Sequence, residues 1–369
     1  MRKLAIVSNS AWHIYNFRLR LIKELRAEGY EIVVIAPSDL YAGKIEEEGF
    51  SYRHVSIDSG GTNPYADLRL VFDFSRIFKK ENVDFLLLYT IKPNIYGSIA
   101  ARFLNIPVIN NISGLGSLFI RNNCLTRLAQ HLYRYALSRS VKVFFHNNDD
   151  MQFFIRKGLV KKTTAERLPG SGVDHRKFAP YPVQKNGGPF VFLLCSRMIL
   201  DKGVGIYAEA ARILKAKHGN IECQLLGFMD VKNPSAVSHE QMQQWVRAGL
   251  VNYLGTTDHV MEYILRSHCV VLPSYREGVP RSLLEAASLA KPIITTNTAG
   301  CKDVVDDGVN GYLCDPGNAG DLAEKMERMI RLSDQERSRM GSLGREKVIR
   351  EFDEAIVIQR YVDTLSNKA

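Results

Sequence analysis

Two carboxylates, Glu277 and Glu285, stand eight residues apart in Pro273-Ser274-Tyr275-Arg276-Glu277-Gly278-Val279-Pro280-Arg281-Ser282-Leu283-Leu284-Glu285. The apolar run Cys269-Val270-Val271-Leu272 before this segment predicts a strand. The Gly/Pro turn after it predicts a helix opening at about Arg281. Glu277 then falls in the loop at the strand's carboxyl end. Glu285 falls one turn into the helix, on the side facing back toward that loop. Open α/β sheets bind ligands at this edge. A helix N-terminus there offers free N–H groups and a positive dipole end to an anion. Carboxylates beside such a helix end point to a ligand carrying both hydroxyls and phosphates, such as a nucleotide-sugar.

The rest of the chain supplies a frame for these groups. Leu4-Ala5-Ile6-Val7, Glu31-Ile32-Val33-Val34-Ile35, Phe85-Leu86-Leu87-Leu88, Val108-Ile109 and Val141-Lys142-Val143-Phe144-Phe145 read as strands. Phe17 to Glu28 reads as a helix with Leu19, Ile22 and Leu25 on one face and Gly29 as its stop. A second helix is expected from about Asn94 to Leu104. This alternation predicts a parallel sheet with helices on both faces. The Pro- and Gly-rich stretch Phe178 to Pro189 reads as a linker. Beyond it the alternation restarts with Phe190 to Leu194, a helix from about Gly205 to Lys217, and strands at Cys223 to Leu226, Cys269 to Leu272 and Ile293-Ile294. The expected division is a first domain over 1–180, a second over 189–352, and a last helix over 353–369. Two doubly wound domains facing a cleft is the fold class that follows.

Composition narrows the function. The 369 residues are 46% apolar and 24% charged, as in a soluble globular protein. No apolar run approaches a membrane span, and the stretch before Ser8 is too short for a secretory signal, so a cytoplasmic protein is expected. Six scattered cysteines without a Cys-x-x-Cys spacing read as buried thiols. Nine histidines without a His-x-x-x-His pair argue against a structural metal. The net charge of +10 sits wholly in the first half, where residues 1–180 carry 26 Lys/Arg against 16 Asp/Glu. No acidic residue occurs between Asp84 and Asp149. Such asymmetry implies an anionic partner. Within Arg121 to Lys142, Leu125, Leu128, Leu132 and Tyr135 recur at helical spacing among Arg127, Arg134 and Arg139. The stripe reads as domain core more readily than as a membrane face, while the missing acids favour a surface near anionic lipid or diphosphate.

These motifs, in order, resemble the retaining family-four glycosyltransferases of the GT-B fold. Arg197 with Asp201-Lys202-Gly203, the Glu277 to Glu285 loop, Asp306-Asp307-Gly308-Val309-Asn310-Gly311 and Gly172-Val173-Asp174 with Phe178 carry the resemblance. Glu351-Phe352-Asp353 and the last helix are similar to the part that crosses back onto the N-terminal domain in that family. Asn16-Phe17-Arg18, Tyr89 to Gly97 and Asn110 to Gly116 are similar to a bacterial subgroup. Its members assemble capsular polysaccharide and other glycans on undecaprenyl diphosphate.

The resemblance implies that Arg197 and Lys202 hold the donor diphosphate. It implies that Glu277 contacts the donor sugar, that Glu285 accepts from the ribose hydroxyls, and that Gly278, Val279 and Pro280 form the donor-sugar loop. Ser113 stands where many members carry a histidine, and serine is a poor base unaided. A front-face mechanism, in which the leaving phosphate takes the acceptor proton, needs no protein base. His13, expected on the first β–α loop, is the other candidate, with a solvated histidine as the plainer reading. Arg18, Lys92, Asn94, Ser113 and Gly114 are assigned to the acceptor side. The expected function is transfer of a hexose or N-acetylhexosamine from a UDP-sugar to a glycan on polyprenyl diphosphate. The enzyme would need no metal or cofactor and would sit peripherally on the cytoplasmic face of the inner membrane. Two alternatives are a nucleotide-sugar 2-epimerase of the same fold and a basic nucleic-acid binder. The chain has no zinc finger, RNA-recognition signature or obvious helix-turn-helix to support the latter.

Overall fold

The computed structural model describes residues 2–58, 60–115, 124–182, 187–231 and 233–367. The chain divides into two compact units, residues 1–171 with 357–369, and residues 172–356. Each is built on one parallel sheet.

In the first unit, β1 (Lys3–Val7), β2 (Glu31–Ala36), β3 (Ser51–His54), β4 (Phe85–Tyr89), β5 (Val108–Ile112), β6 (Lys142–Phe145) and β7 (Ala165–Arg167) lie in the order β3-β2-β1-β4-β5-β6-β7. Its helices are α1 (Ala11–Ala27), α2 (Ala42–Glu47), α3 (Pro64–Lys80), α4 (Ser98–Leu104), α5 (Cys124–Leu137) and α6 (Asn148–Arg156). A π-helical turn, Pro93–Gly97, leads into α4. Strands buried on both faces read as continuous apolar runs, which is why β1, β2 and β4 were legible. β3 was not, because its sequence Ser51-Tyr52-Arg53-His54 is that of a largely exposed edge strand.

In the second unit, β8 (Phe190–Cys195), β9 (Ile221–Leu226), β10 (Asn252–Tyr253), β11 (Cys269–Leu272), β12 (Ile293–Thr296) and β13 (Gly311–Cys314) lie in the order β10-β9-β8-β11-β12-β13. The helices are α7 (Val204–Lys215), α8 (His239–Arg247), α9 (Val260–Arg266), α10 (Arg281–Ser288), α11 (Ala319–Arg331) and α12 (Asp334–Glu351). One apolar cluster on this sheet takes in Tyr207 of α7, Met242 of α8 and Leu322 of α11. The other takes in Ile264 of α9, Leu283 of α10 and Val348 of α12.

The last helix, α13 (Glu354–Ser366), carries the division between the units within it. Its Val357, Ile358, Tyr361 and Leu365 join Ile14, Leu21 and Leu25 of α1 in one cluster of the first unit. Tyr361 meets Phe144 edge-on at 5.0 Å. The division falls earlier than the linker reading placed it. Val173 bridges to Asp353, Phe178 is buried in the second core, and Ser288 Oγ donates to the Phe178 carbonyl at 2.7 Å. Residues 172–182 therefore belong with the second unit, and 183–186 lie outside the described residues.

Helix α1 also departs from expectation. Ser10 caps it, accepting from the His13 N–H at 3.2 Å, so the helix begins at Ala11 and not at Phe17. His13 thus lies in the first helical turn rather than on a loop.

Among the described side chains of α5, Thr126, Ala129, Tyr133, Ala136 and Leu137 are buried, while Leu128 and Tyr135 are exposed. The outward face therefore carries part of the apolar stripe that was read as core. Arg134 is tied down, with its guanidinium donating to the carbonyls of Lys157 and Gly158. Arg121 and the Leu125 side chain lie outside the described residues.

Candidate functional site

Both sheets reverse their winding at one point, β1/β4 in the first and β8/β11 in the second. Strand order reverses there, and a crevice opens outside the carboxyl ends of the strands. The residues singled out from sequence fall around these two points.

In the second unit, Arg197 and Lys202 follow β8, and Glu277 follows β11, the neighbouring strand. Lys202 ends a 3-10 turn, Leu200–Lys202. Its Nζ forms an ion pair with Glu277 Oε1. Two glycines make that meeting possible. Gly203 has φ +75°, and a Cβ there would lie 2.0 Å from the Pro273 carbonyl oxygen. Gly300 has φ +80°, and a Cβ there would lie 2.5 Å from the Glu277 carbonyl oxygen. The loops after β8, β11 and β12 pack at backbone contact, which only glycine permits. Tyr275 N and Ser274 Oγ both donate to the Asp201 carbonyl, at 3.0 and 3.1 Å, and Glu277 N donates to the Ala299 carbonyl at 3.1 Å. Arg197 is exposed and forms no ion pair among the described residues.

Helix α10 opens at Arg281 with no side-chain cap and no acid in its first turn. Its positive end is left for a ligand. Glu285 sits one turn in, 13% exposed, and accepts from Arg281 Nε at 3.1 Å. Arg281 also donates to the Gly172 carbonyl at 2.9 Å. Burial pushes the Glu285 carboxyl above its ordinary range, and Arg281 opposes that. The donor-sugar loop needs one correction. The Val279 side chain is buried in the core with Leu283 and Leu284, so Val279 has only its backbone to offer.

The acceptor-side residues lie in the first unit. An open cavity is lined by Asn9, Thr90, Lys92, Asn94, Ser113, Gly114 and Tyr133, among others. Lys92 is not a free cation there. Its Nζ pairs with Asp67 Oδ1 at 2.6 Å, and Tyr96 donates to the other oxygen of Asp67 at 2.7 Å. Asn94 is 1% exposed and fully committed internally. Its Nδ2 donates to the Asn111 carbonyl at 2.8 Å, and its Oδ1 accepts from Asn110 Nδ2 at 3.0 Å and Asn111 N at 3.2 Å. It staples the π-helical turn to β5 and also lines the cavity. Tyr361 of the last helix donates to Asn111 Oδ1 and extends the same network.

His13 shares a hydrogen bond with Ser8 Oγ through Nδ1 at 3.0 Å. Burial, and then the Arg18 guanidinium, lower its pKa to about 3. Held below the usual imidazole range, it is in its neutral form near pH 7. Arg18, expected on the acceptor side, is 2% exposed beneath this edge.

Residues 176–347 match the family "Glycosyl transferases group 1", and residues 3–147 match "Glycosyl transferase 4-like". The chain is a glycosyltransferase of the GT-B fold. The glycosyltransferase is 28% identical over 376 residues to the N,N'-diacetylbacillosaminyl-diphospho-undecaprenol alpha-1,3-N-acetylgalactosaminyltransferase of Campylobacter jejuni, covering 98% of this chain and 97% of that one. It is 23% identical over 321 residues to the UDP-Gal:alpha-D-GlcNAc-diphosphoundecaprenol alpha-1,3-galactosyltransferase of Escherichia coli, covering 82% and 81%. Among solved structures, Anabaena Alr3699/HepE in complex with UDP-glucose superposes with a TM-score of 0.83 at 21% identity over the whole of both chains.

Several site residues of the glycosyltransferase escaped the sequence reading. Arg281 was passed over as a helix-start residue, although its i,i+4 spacing to Glu285 is a visible signal. Asp67 and Tyr96 carried none, because they meet Lys92 only through the packing of α3 on the π-helical turn. Asn110-Asn111 carried a partial one, as two amides inside a buried strand must find partners.

Proposed function

We propose that this glycosyltransferase moves a hexose or N-acetylhexosamine from a UDP-sugar to a glycan on undecaprenyl diphosphate, with retention at the anomeric carbon and without a metal. The observation that carries the donor half is the grouping at the β8/β11 switch point. An exposed Arg197, the Lys202–Glu277 pair and Glu285 gather there, beside an uncapped helix end. When the bond from the anomeric carbon to the diphosphate oxygen breaks, charge grows on the departing UDP. Fixed cations and helix N–H groups stabilise that charge where it develops. Glu277 steadies the sugar as its anomeric carbon becomes electron-poor. Glu285 accepts from the ribose hydroxyls in charge-assisted bonds. The acceptor oxygen bonds to the anomeric carbon from the face the UDP leaves, and its proton passes to the departing phosphate oxygen. That route asks nothing of Ser113 or of His13.

The acceptor half rests on the names of the Campylobacter jejuni and Escherichia coli relatives, both of which specify undecaprenol diphosphate sugars. A panel of UDP-, GDP- and dTDP-sugars with undecaprenyl-diphosphate-linked acceptors, run with and without EDTA, tests the whole reading. Turnover with a UDP-sugar that persists in EDTA is expected. Turnover abolished by EDTA contradicts the metal-free mechanism, and no turnover with any donor overturns the assignment.

A lipid-linked acceptor calls for contact with a membrane, and no helix among the described residues is long and apolar enough to cross one. Two helices of the first unit carry an apolar and basic face. On α3, Tyr65, Leu68 and Phe72 are exposed beside Arg69 and Arg76, and on α5, Leu128 and Tyr135 are exposed beside Arg127. Each basic residue near an anionic surface adds about 1 kcal/mol, so docking on anionic lipid follows from the charge excess. Vesicles rich in anionic phospholipid are expected to sediment the protein at low salt. Phe72→Glu is expected to reduce the bound fraction severalfold. Equal binding to neutral vesicles contradicts the electrostatic part.

A further inference from the structure

Arg18 is buried in α1 at 2% exposure. Its guanidinium lies over the Tyr89 ring, 4.6 Å from the centroid. Among the described residues no carboxylate pairs with it and no acceptor takes its hydrogen bonds, and its Nε is buried without a partner. A guanidinium does not lose its proton in a protein, and a buried charge without a counter-charge is strongly unfavourable. A fold that keeps such a group has a use for it.

The surroundings narrow that use. Ser8 follows β1, Tyr89 ends β4, His146 follows β6, and His13 opens α1. All stand at carboxyl ends of parallel strands, around the switch point of the first sheet. None brings negative charge. Both imidazoles are neutral, His13 as described above and His146 because burial, then Arg18 and His13, hold it well below its usual value. Burial likewise keeps the Tyr89 hydroxyl protonated. His146 Nε2 is buried without a partner. One fixed cation among neutral polar groups, at the ligand edge of the sheet, is a receptor for an anion. Asn9 and Thr90, the next residues in sequence after Ser8 and Tyr89, line the open cavity of this unit, whereas Arg18 itself does not.

We infer that the Arg18 guanidinium anchors a diphosphate group of a substrate bound at this edge of the first unit's sheet. The inference rests on the transferase reading, in which both substrates carry a diphosphate. The shared chemistry is what Arg18 recognises, and the experiment separates the two sources. Calorimetric affinities of the full chain for UDP and for farnesyl diphosphate are compared between wild type and Arg18→Met. The variant is expected to fold with a Tm equal to or above wild type, because it loses an uncompensated buried charge. At least one of the two affinities is expected to fall tenfold or more. Loss for UDP assigns the anchor to the donor, and loss for farnesyl diphosphate assigns it to the lipid-linked acceptor. Inorganic pyrophosphate is expected to compete with that ligand on the wild-type protein.

Unchanged affinity for both ligands in the folded variant overturns the inference, as does failure of pyrophosphate to compete. Should Arg18→Met not fold, Arg18→Gln, which keeps a polar side chain, is read the same way. Wild-type protein that transfers no sugar at all sinks the transferase reading. Wild-type transfer with unchanged KM for both substrates in Arg18→Met sinks only the anchor.

Discussion

Glu277→Gln is expected to lower kcat by about 10²–10³-fold, the range seen when one group that stabilises transition-state charge is removed. The amide keeps the volume of the carboxylate, so the packing of Gly300 against the loop survives. It removes the negative charge that the proposed donor site places beside the sugar and leaves Lys202 without its ion-pair partner. A lysine released from that pair is a stronger phosphate ligand. The KM for the donor should therefore stay within about threefold of wild type, or fall, while kcat collapses. That split marks an interaction made in the transition state and not in the ground state. Steady-state kinetics with the best UDP-sugar measure it. A KM that rises in step with an unchanged kcat would place Glu277 in ground-state binding alone.

Glu285→Gln is expected to do the reverse. It removes hydrogen bonds to a charged acceptor, worth about 1.5–3 kcal/mol, so donor KM should rise roughly 10–100-fold with little change in kcat. The carboxyl also makes donor binding pH-dependent. Burial raises its folded pKa above the ordinary 4.5. In the proposed donor site, the ionised form is the one that accepts from both ribose hydroxyls. As pH falls through the raised value the group takes up a proton, and UDP affinity falls with it, beginning at a higher pH than an exposed glutamate would show. The sign for stability is opposite. The folded state holds this proton more tightly than the unfolded chain, so ionising Glu285 costs stability as pH rises from the unfolded pKa through the folded one. Arg281 offsets part of that cost. UDP titrations across the acid range should show the loss in wild type and a flatter profile in Glu285→Gln.

The elements that carry Glu277 and Glu285 were legible in the sequence because they lie in a short segment whose structure is set by local signals. The apolar run Cys269 to Leu272 announces a strand, the Gly/Pro turn announces its end, and the spacing to Glu285 is one helical turn. The parallel sheets followed from buried strands alternating with helices. What escaped depends on contacts made across the chain. Nothing local to Lys202 says that it meets Glu277, 75 residues on. Asn94 looks like a polar residue at a helix start, and only the pairing of β4 with β5 reveals that Asn110 and Asn111 consume it. Arg18 looks like a surface cation of an amphipathic helix. The cap at Ser10 starts the helix earlier than expected, and Arg18 lies with Ile14, Leu21 and Leu25 on its buried side. The boundary near residue 180 failed for a related reason, because Phe178 reads as part of a linker yet fills the second core.

Retention at the anomeric carbon, which the front-face mechanism requires, is the central claim, and the configuration of the product tests it most directly. An α-configured UDP-sugar and an undecaprenyl-diphosphate-linked acceptor are incubated with the wild-type protein, and the new linkage is assigned by NMR of the purified glycan. The account predicts an α-linked product, whereas a β-linked product would require attack from the opposite face and would contradict it.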